Sequence, residues 1–591
     1  MEQFALLNLQ QMAAIGSSAG LNIVAEVDRA PLGKYTNSST PLLNLPAWST
    51  TKRLLVKQRS FQELSDLGEL NTADPANLAD FIRWGVKAYP AAHYMLVLWD
   101  HGGGWQGFGQ DETLPGSAGS DWMGLPRVQA GIQTGLTQAG LAKFDIVGFD
   151  ACLMASFEVA ETLKAYANLL VASEEVEPGH GWDYAGALSG AAALDALSLA
   201  KKIADSYQAI ANTAPWNDGA SITLSVIDLS KLGPVEAGLA KIATDYGTAP
   251  TVAPVVSAIA KGRSATIAFG KDPDPTRAFN LLDAGDLFGR LGSMGADATT
   301  MQTAVQGAVA YKVAGSAYAA STGMSIYFPP TSAAYQGAMY DPLPGTGDWR
   351  TFLSAFYGAS ASAVVPTFAS ATISATHASV TLDGILTAGA LPAVATAQLV
   401  YGVPGASGDA WLYGDQPATT STDAAGDHVT STWDYTFLHL SQTTPVAHDE
   451  YGYLSIRQVD ATTGLILVPM SYYPPAGAAQ PAFREIVFTL ATGAIVADVY
   501  YVQTNGLLGQ LAPVPGSTMH ARVAHLPAAG TYSGSWVDYT AAGAFDGPTP
   551  ITLQFVSLAT SAPYFAGLKV ANASGAGDWI ATSVAAPPTR P

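Results

Sequence analysis

The sequence contains a single cysteine, Cys152, in 591 residues. That excludes a framework of intrachain disulfides and any metal site built from several thiolates. On its own, a lone cysteine reads as a small buried hydrophobe. Basic residues are also scarce. Lys and Arg number 27 against 47 Asp and Glu, giving a formal net charge of −20 and a pI near 4.7. Such a surface repels a phosphate backbone, so nucleic acid is not an expected partner. It is compatible with basic peptides, although net charge alone is a weak guide to substrate. No apolar run reaches 18 residues, so no membrane span is expected. The opening "MEQFALLNLQQMAAIGSSAG" has neither a basic leader nor a continuous apolar stretch, so no signal peptide is visible. Repeats of fixed period and long low-complexity tracts are absent as well.

What the chain does have is apolar residue: 48 % of it is hydrophobic and only 13 % charged. A large core is therefore available, and at about 100–200 residues per domain the length allows two to four domains. Up to about residue 358, short runs such as "LNIVAEV", "YMLVLW", "FDIVGF", "NLLVAS", "ITLSVID" and "MSIYF" are almost unbroken in apolar or β-branched residues. Strands buried on both faces read this way. Helical patterns lie between them. In "DPANLADFIRWGVKAYP" Asp74 is a candidate N-cap and Pro75 the first helical residue. The alternation predicts an α/β domain over 1–358, a mostly parallel sheet flanked by helices. Residues 234–320 show helices and loops without a clear strand and read as a helical insertion. Small residues and proline mark a linker over 359–367. Beyond it, over 368–591, segments alternate in a period of two and are rich in Val, Thr and Tyr. They predict an antiparallel β-sandwich region, one large domain or two small ones.

Two strands end unusually, in "LVLWDHGGG" and in "DIVGFDACLM". In a parallel α/β sheet, ligands bind at the carboxyl ends of strands. His101 and Cys152 would both sit there, and on neighbouring strands they could meet. A thiolate is the nucleophile of cysteine chemistry, and a nearby imidazolium or a helix N-terminus favours it. The pattern predicts both for Cys152, with a helix opening directly after it. Gly102, Gly103 and Gly104 lack Cβ atoms, so a substrate backbone could approach and peptide N–H groups could receive an oxyanion.

Together "LVLWDHGGGW", "DIVGFDACLM", "VASEEVEPGHGWDY", "SVIDLS", "MSIYFP" and "DWRTFLSAFYG" resemble the clostripain family of cysteine peptidases, within the caspase, legumain and gingipain clan. The resemblance spans about residues 2–358, with several motifs in the right order, and the 51 positions from His101 to Cys152 match the spacing seen in caspases. It implies a caspase-like α/β sandwich and cleavage of peptide bonds after Arg or Lys. It implies His101 as the base and acid of a dyad, Cys152 as the nucleophile, and the N–H groups of Gly102 and Cys152 as the oxyanion hole. Asp150 matches the acidic residue at the base of the pocket for a basic side chain, where a carboxylate can pair a guanidinium or ammonium. Ser173, Glu174 and Trp182 are further candidates for substrate contact. The resemblance also implies one more strand ahead of the helix that begins near Glu2, and secretion or display at the cell surface as a monomer.

Bland alternatives stand beside these roles. Asp150 could simply cap a following helix. Glu174, Glu175 and Glu177 read slightly better as a solvated acidic face than as pocket lining. Trp182 and Tyr184 could border the cleft, though buried aromatics are commoner, and His93 and His180 read as structural. No cofactor is required. Asp111, Glu112 and Asp121 could offer oxygen ligands to calcium, without the spacing of an EF-hand. Arg127 and Lys143 are the only basic residues between His101 and Cys152, hence the candidate sites of self-cleavage that the family resemblance suggests. A serine hydrolase also uses HGGG, but the only G-x-S-x-G match, "GSSAG", precedes HGGG and a strand, which is the wrong order. The remaining rival is a non-catalytic adhesin on a peptidase scaffold, with the β-rich half as its working part.

Overall fold

The computed structural model describes residues 2–584, except 35–36, 115–120, 247–252, 275–276, 292–295, 406, 459–461, 505, 528–534, 540–542 and 558–561. A five-stranded sheet organises the N-terminal half. Its strands are β1 (Met95–Trp99), β2 (Phe144–Asp150), β3 (Ala167–Ala172), β4 (Thr223–Asp228) and β5 (Val309–Ala314), in the spatial order β5-β4-β3-β2-β1. Their apolar runs persist because both faces are covered. On one face Leu98, Val147, Phe149 and Leu170 join the largest core. On the other, Ile146, Leu169, Val171 and Val226 join a second core with Leu6, Leu9, Ile203 and Tyr207 from the helices Glu2–Ile15 and Ala196–Ala211. Each such side chain, fully buried, contributes roughly 1.5–3 kcal/mol of transfer free energy. The helix Pro75–Ala88 begins as its sequence predicts, with the Asp74 carboxylate accepting the Ala76 N–H at 2.9 Å and proline in the first turn.

The sheet is mixed rather than mostly parallel. β1–β2 and β2–β3 are parallel, but β3–β4 and β4–β5 are antiparallel. Apolar runs report burial and carry no information on direction. The stretch read as a strandless insertion supplies β5, "VAYKVA", half-buried along most of its length as suits a sheet edge. "LNIVAEV" joins a separate three-stranded antiparallel sheet through Val24–Val27, and "MSIYF" a second small one through Ser325–Tyr327. The last helix, Gly347–Ala361, runs three residues into the segment read as a linker.

Beyond Ala361 the described residues form strands and one short turn of 3-10 helix. They make a twelve-stranded sheet together with a four-stranded and a three-stranded one. Three further cores lie in this half, one around Trp433 and Tyr564, one around Val468 and Met519, and a smaller one around Leu412 and Phe565. This strand-rich half is not a loose appendage. Phe483, Val487, Tyr501 and Leu508 belong to the same continuous core as Leu98 and Phe149. Glu485 enters the junction as a charge. Lys271 Nζ lies 3.1 Å from Glu175 and 3.2 Å from Glu485, and the Tyr318 hydroxyl, with one proton to donate, stands 2.9 and 2.7 Å from the same two carboxylates.

Candidate active site

The register of the central sheet assembles the site. Trp99 of β1 stands opposite Asp150 of β2. Two residues further along each chain lie His101 and Cys152, which therefore emerge side by side at the carboxyl edge. Both line one cavity of about 280 Å³, shared with Phe4, Asp150, Glu177 and Gly181. Gly102 packs so closely on the Cys152 turn that a Cβ there would overlap the Cys152 carbonyl oxygen, and its N–H reaches the Cys152 sulfur. The close approach of these two backbones is what the missing side chain permits.

One expectation fails. No helix opens at Cys152. The residue sits in a turn, Leu153 has a φ of +69°, and the next helix starts only at Phe157, capped by Ser156. The turn is held instead from β3 and the loop after it. Leu153 N–H donates to Glu175 O at 3.2 Å and Ala155 N–H to Ser173 O at 2.8 Å. A helix dipole therefore gives the thiol no help. Cys152 is 6 % exposed, and burial, aided by the Glu177 carboxylate, pushes its thiol up to about 12. Burial pushes the His101 imidazole down to about 4. As the site stands, thiol and neutral imidazole are the favoured pair.

The base of the cavity is acidic. Asp150 is 4 % exposed and accepts both the Trp182 N–H, at 3.2 Å to each oxygen, and the Tyr184 hydroxyl, at 2.8 Å. Glu177 faces it. Both Glu177 carboxylate oxygens are buried; the Asp150 carboxyl and the Trp182 indole lie close enough to interact with them, but no cation pairs with them among the described residues. Desolvation raises both carboxyls; the Asp150 charge raises Glu177 further, while hydrogen bonding from the Glu177 side lowers Asp150, so a proton between them resides on Glu177. An unpartnered carboxylate in such a place costs free energy until a cation or proton meets it.

The reading of Glu174, Glu175 and Glu177 as a solvated face is overturned, because all three are buried. Glu177 lines the cavity, whereas Glu175 pairs with Lys271 and Glu174 accepts the Gly323 N–H. Ser173, Glu174 and Trp182 are not among the cavity-lining residues. The Ser173 hydroxyl spans Glu175 O and Thr223, and the Trp182 ring is packed against Gly148 beneath β2. His180 is buried against Trp216 and Asp218, and His93 is exposed beside Asp145. In the segment between His101 and Cys152, Asp111 accepts Thr72 N–H at 2.9 Å, and Asp121 is held by Arg127 and Asn71. Arg127 lies in the helix Leu125–Ala139, while Lys143 is in the exposed connection before β2.

One part of the cavity wall is remote in sequence. Val502, Leu507, Gly509 and Gln510, from the hairpin of strands Ile495–Thr504 and Leu507–Gln510, complete it. A Cβ at Gly509 would stand 3.6 Å from His101 Cε1. A glycine inside a strand is a sign of close backbone approach, and that was the available hint. Gln503 Nε2 ties the hairpin to Arg277 O at 3.1 Å.

Against known proteins, the model of the clostripain family matches residues 1–336. Clostripain of Hathewaya histolytica is 30 % identical over 197 residues, 28 % of this chain and 35 % of that protein, so the chain spans about a third of the curated relative. Among solved structures, a secreted C11 cysteine protease from Bacteroides thetaiotaomicron in complex with an irreversible peptide inhibitor is similar at 19 % identity, over 59 % of this chain and 94 % of the other, with a TM-score of 0.44. An inactive zymogen C11 protease from Parabacteroides distasonis is similar at 18 % identity, over 59 % and 92 %, with a TM-score of 0.40.

Proposed function

The chain belongs to the clostripain family, and from that membership and the cavity we propose that it is a cysteine endopeptidase hydrolysing peptide bonds after Arg or Lys. The observation that carries the specificity is the pair Asp150 and Glu177 at the cavity base, two buried carboxyls facing each other with no cation paired to either among the described residues. A P1 guanidinium or ammonium supplies the missing positive charge. It also releases the proton the two carboxyls compete for, and a charge-assisted contact of this kind contributes about 1.5–3 kcal/mol. The scissile carbonyl then lies over Cys152. His101, neutral in the cavity, takes the thiol proton as sulfur attacks the carbonyl carbon. The N–H groups of Gly102 and Cys152 receive the oxyanion. His101 returns the proton to the leaving amine, a thioester remains on Cys152, and water activated by the same imidazole hydrolyses it. Trp182 and Tyr184 act in this scheme by orienting Asp150 rather than by touching substrate. Ser173 and Glu174 serve the nucleophile loop and the sheet.

Action on polypeptides outside the cell, by a monomer, belongs to the same proposal. No helix among the described residues is long and apolar enough to cross a membrane. A peptide library varied at P1, with and without a calcium chelator, tests the reading on the full chain. Cleavage after Arg and Lys that disappears in Cys152→Ala is expected. Peptide binding without cleavage would favour the adhesin reading, and cleavage retained in Cys152→Ala would remove the dyad. Loss of activity with chelator alone would assign calcium a role that the dyad does not need.

A further inference from the structure

Far from the catalytic cleft, three side chains of the strand-rich half converge. His448 and Glu450 are two residues apart on the strand His448–Gly452, so both project from one face. His520 comes from the strand Thr518–Leu526, in a different sheet. His448 Nε2 lies 2.8 Å and His520 Nδ1 2.7 Å from the same atom, Glu450 Oε1. All three donor atoms fall within 4.8 Å of one another. The second carboxylate oxygen of Glu450 is fixed by the Ala521 N–H at 2.5 Å, and the His448 ring is held edge-on to Phe545 at 4.8 Å. Glu450 and His448 are buried, whereas His520 is partly open to solvent.

We propose that His448, Glu450 and His520 form a binding site for a zinc-class divalent transition metal, one that staples the three-stranded sheet to the twelve-stranded sheet. Two imidazoles and one carboxylate are a donor set for zinc and its neighbours, not for calcium or magnesium, which prefer oxygen throughout. The Ala521 N–H supplies the outer contact that orients a ligating carboxylate. Metal–ligand bonds of about 2.0–2.2 Å in a tetrahedral site set neighbouring donors roughly 3.3–3.5 Å apart. The present 2.7–2.8 Å separations must therefore widen by about 0.5–0.8 Å and the two imidazole nitrogens close to a similar spacing, a rearrangement in which both rings pull back from Glu450, the partly exposed His520 with the more room to turn. The open side of His520 leaves the fourth position to water. Each imidazole must turn a lone pair, rather than an N–H, toward the ion, so protons oppose binding and affinity falls with falling pH.

The test uses the full chain carrying Cys152→Ala, so that the cleft sulfur cannot take the metal. After stripping with chelator, Zn²⁺ is added, unbound ion is removed by gel filtration, and retained zinc is measured alongside the thermal midpoint. One zinc per chain and a midpoint raised by several degrees are expected. His520→Ala, at a partly exposed position, is expected to keep the fold by circular dichroism and to lose at least ten-fold in zinc affinity along with the thermal gain. Glu450→Gln is expected to do the same if it folds. No retained zinc at micromolar concentration would overturn the proposal and leave a hydrogen-bonded His–Glu–His network. So would equal retention by His520→Ala.

Discussion

Burial gives Cys152 a reactivity that can be measured without substrate. Its thiol, held near 12 by desolvation and the Glu177 charge, is about 10⁻⁴ ionised at pH 8, where a free cysteine with a pKa of about 8.5 is roughly a quarter ionised. The thiolate population is thus lower by about 2,000-fold. A more basic thiolate is a better nucleophile, and a Brønsted slope of about 0.4–0.5 recovers roughly 40-fold of that. The net expectation is reaction with a small aromatic disulfide about 50–100-fold slower than free cysteine at pH 8, before any steric shielding. Because the sequence contains one cysteine, intact mass reports the modification without ambiguity. The logarithm of the rate should climb with unit slope through pH 10. A rate within a few-fold of free cysteine, with an apparent pKa of 6–7, would mean a resting thiolate–imidazolium pair and would refute the buried-thiol argument.

Other outcomes follow from the same geometry. Protonation removes the base form of His101 only below its depressed value of about 4. The acid limb of kcat/KM assigned to His101 should therefore lie near pH 4, and a limb at 6.5 would contradict this. Asp150→Asn should narrow the preference for Lys or Arg over a neutral P1 by about ten-fold or more, since the charge-assisted contact is lost. Ratios of kcat/KM on paired peptides check it. Gly509→Ala should leave activity nearly intact, because its Cβ meets His101 at an ordinary 3.6 Å. Gly509→Phe should block the cleft while the thermal midpoint holds. Lys271→Met leaves the Glu175 and Glu485 carboxylates facing each other in the junction. That should cost about 3–5 kcal/mol, read by denaturant unfolding.

The sequence carried the site better than it carried the frame. A histidine and a cysteine at the ends of two apolar runs were enough to bring His101 and Cys152 together, since parallel neighbours in register need no further information. Strand direction was hidden, because "ITLSVID" is equally apolar whichever way it runs and the connections decide. The strand Val309–Ala314 is hidden by its edge position, where only Val313 is fully buried and Ala310 is exposed. Glu177 was misjudged for the opposite reason: acidic residues are normally solvated, and only the fold shows that this one is closed in. The hairpin wall was out of reach, since Gly509 lies hundreds of positions from His101 and only tertiary packing joins them.

That separation orders events in time. A ribosome adding about 5–20 residues per second takes roughly 20–70 s to pass from Cys152 to Gln510. Throughout that interval the nucleophile loop exists while its outer wall does not. The cavity is then open on that side, so oxidants and electrophiles have a path to the thiol that the hairpin of Ile495–Thr504 and Leu507–Gln510 later closes. The nascent chain is therefore more vulnerable at its one thiol than the finished protein, and synthesis speed sets for how long.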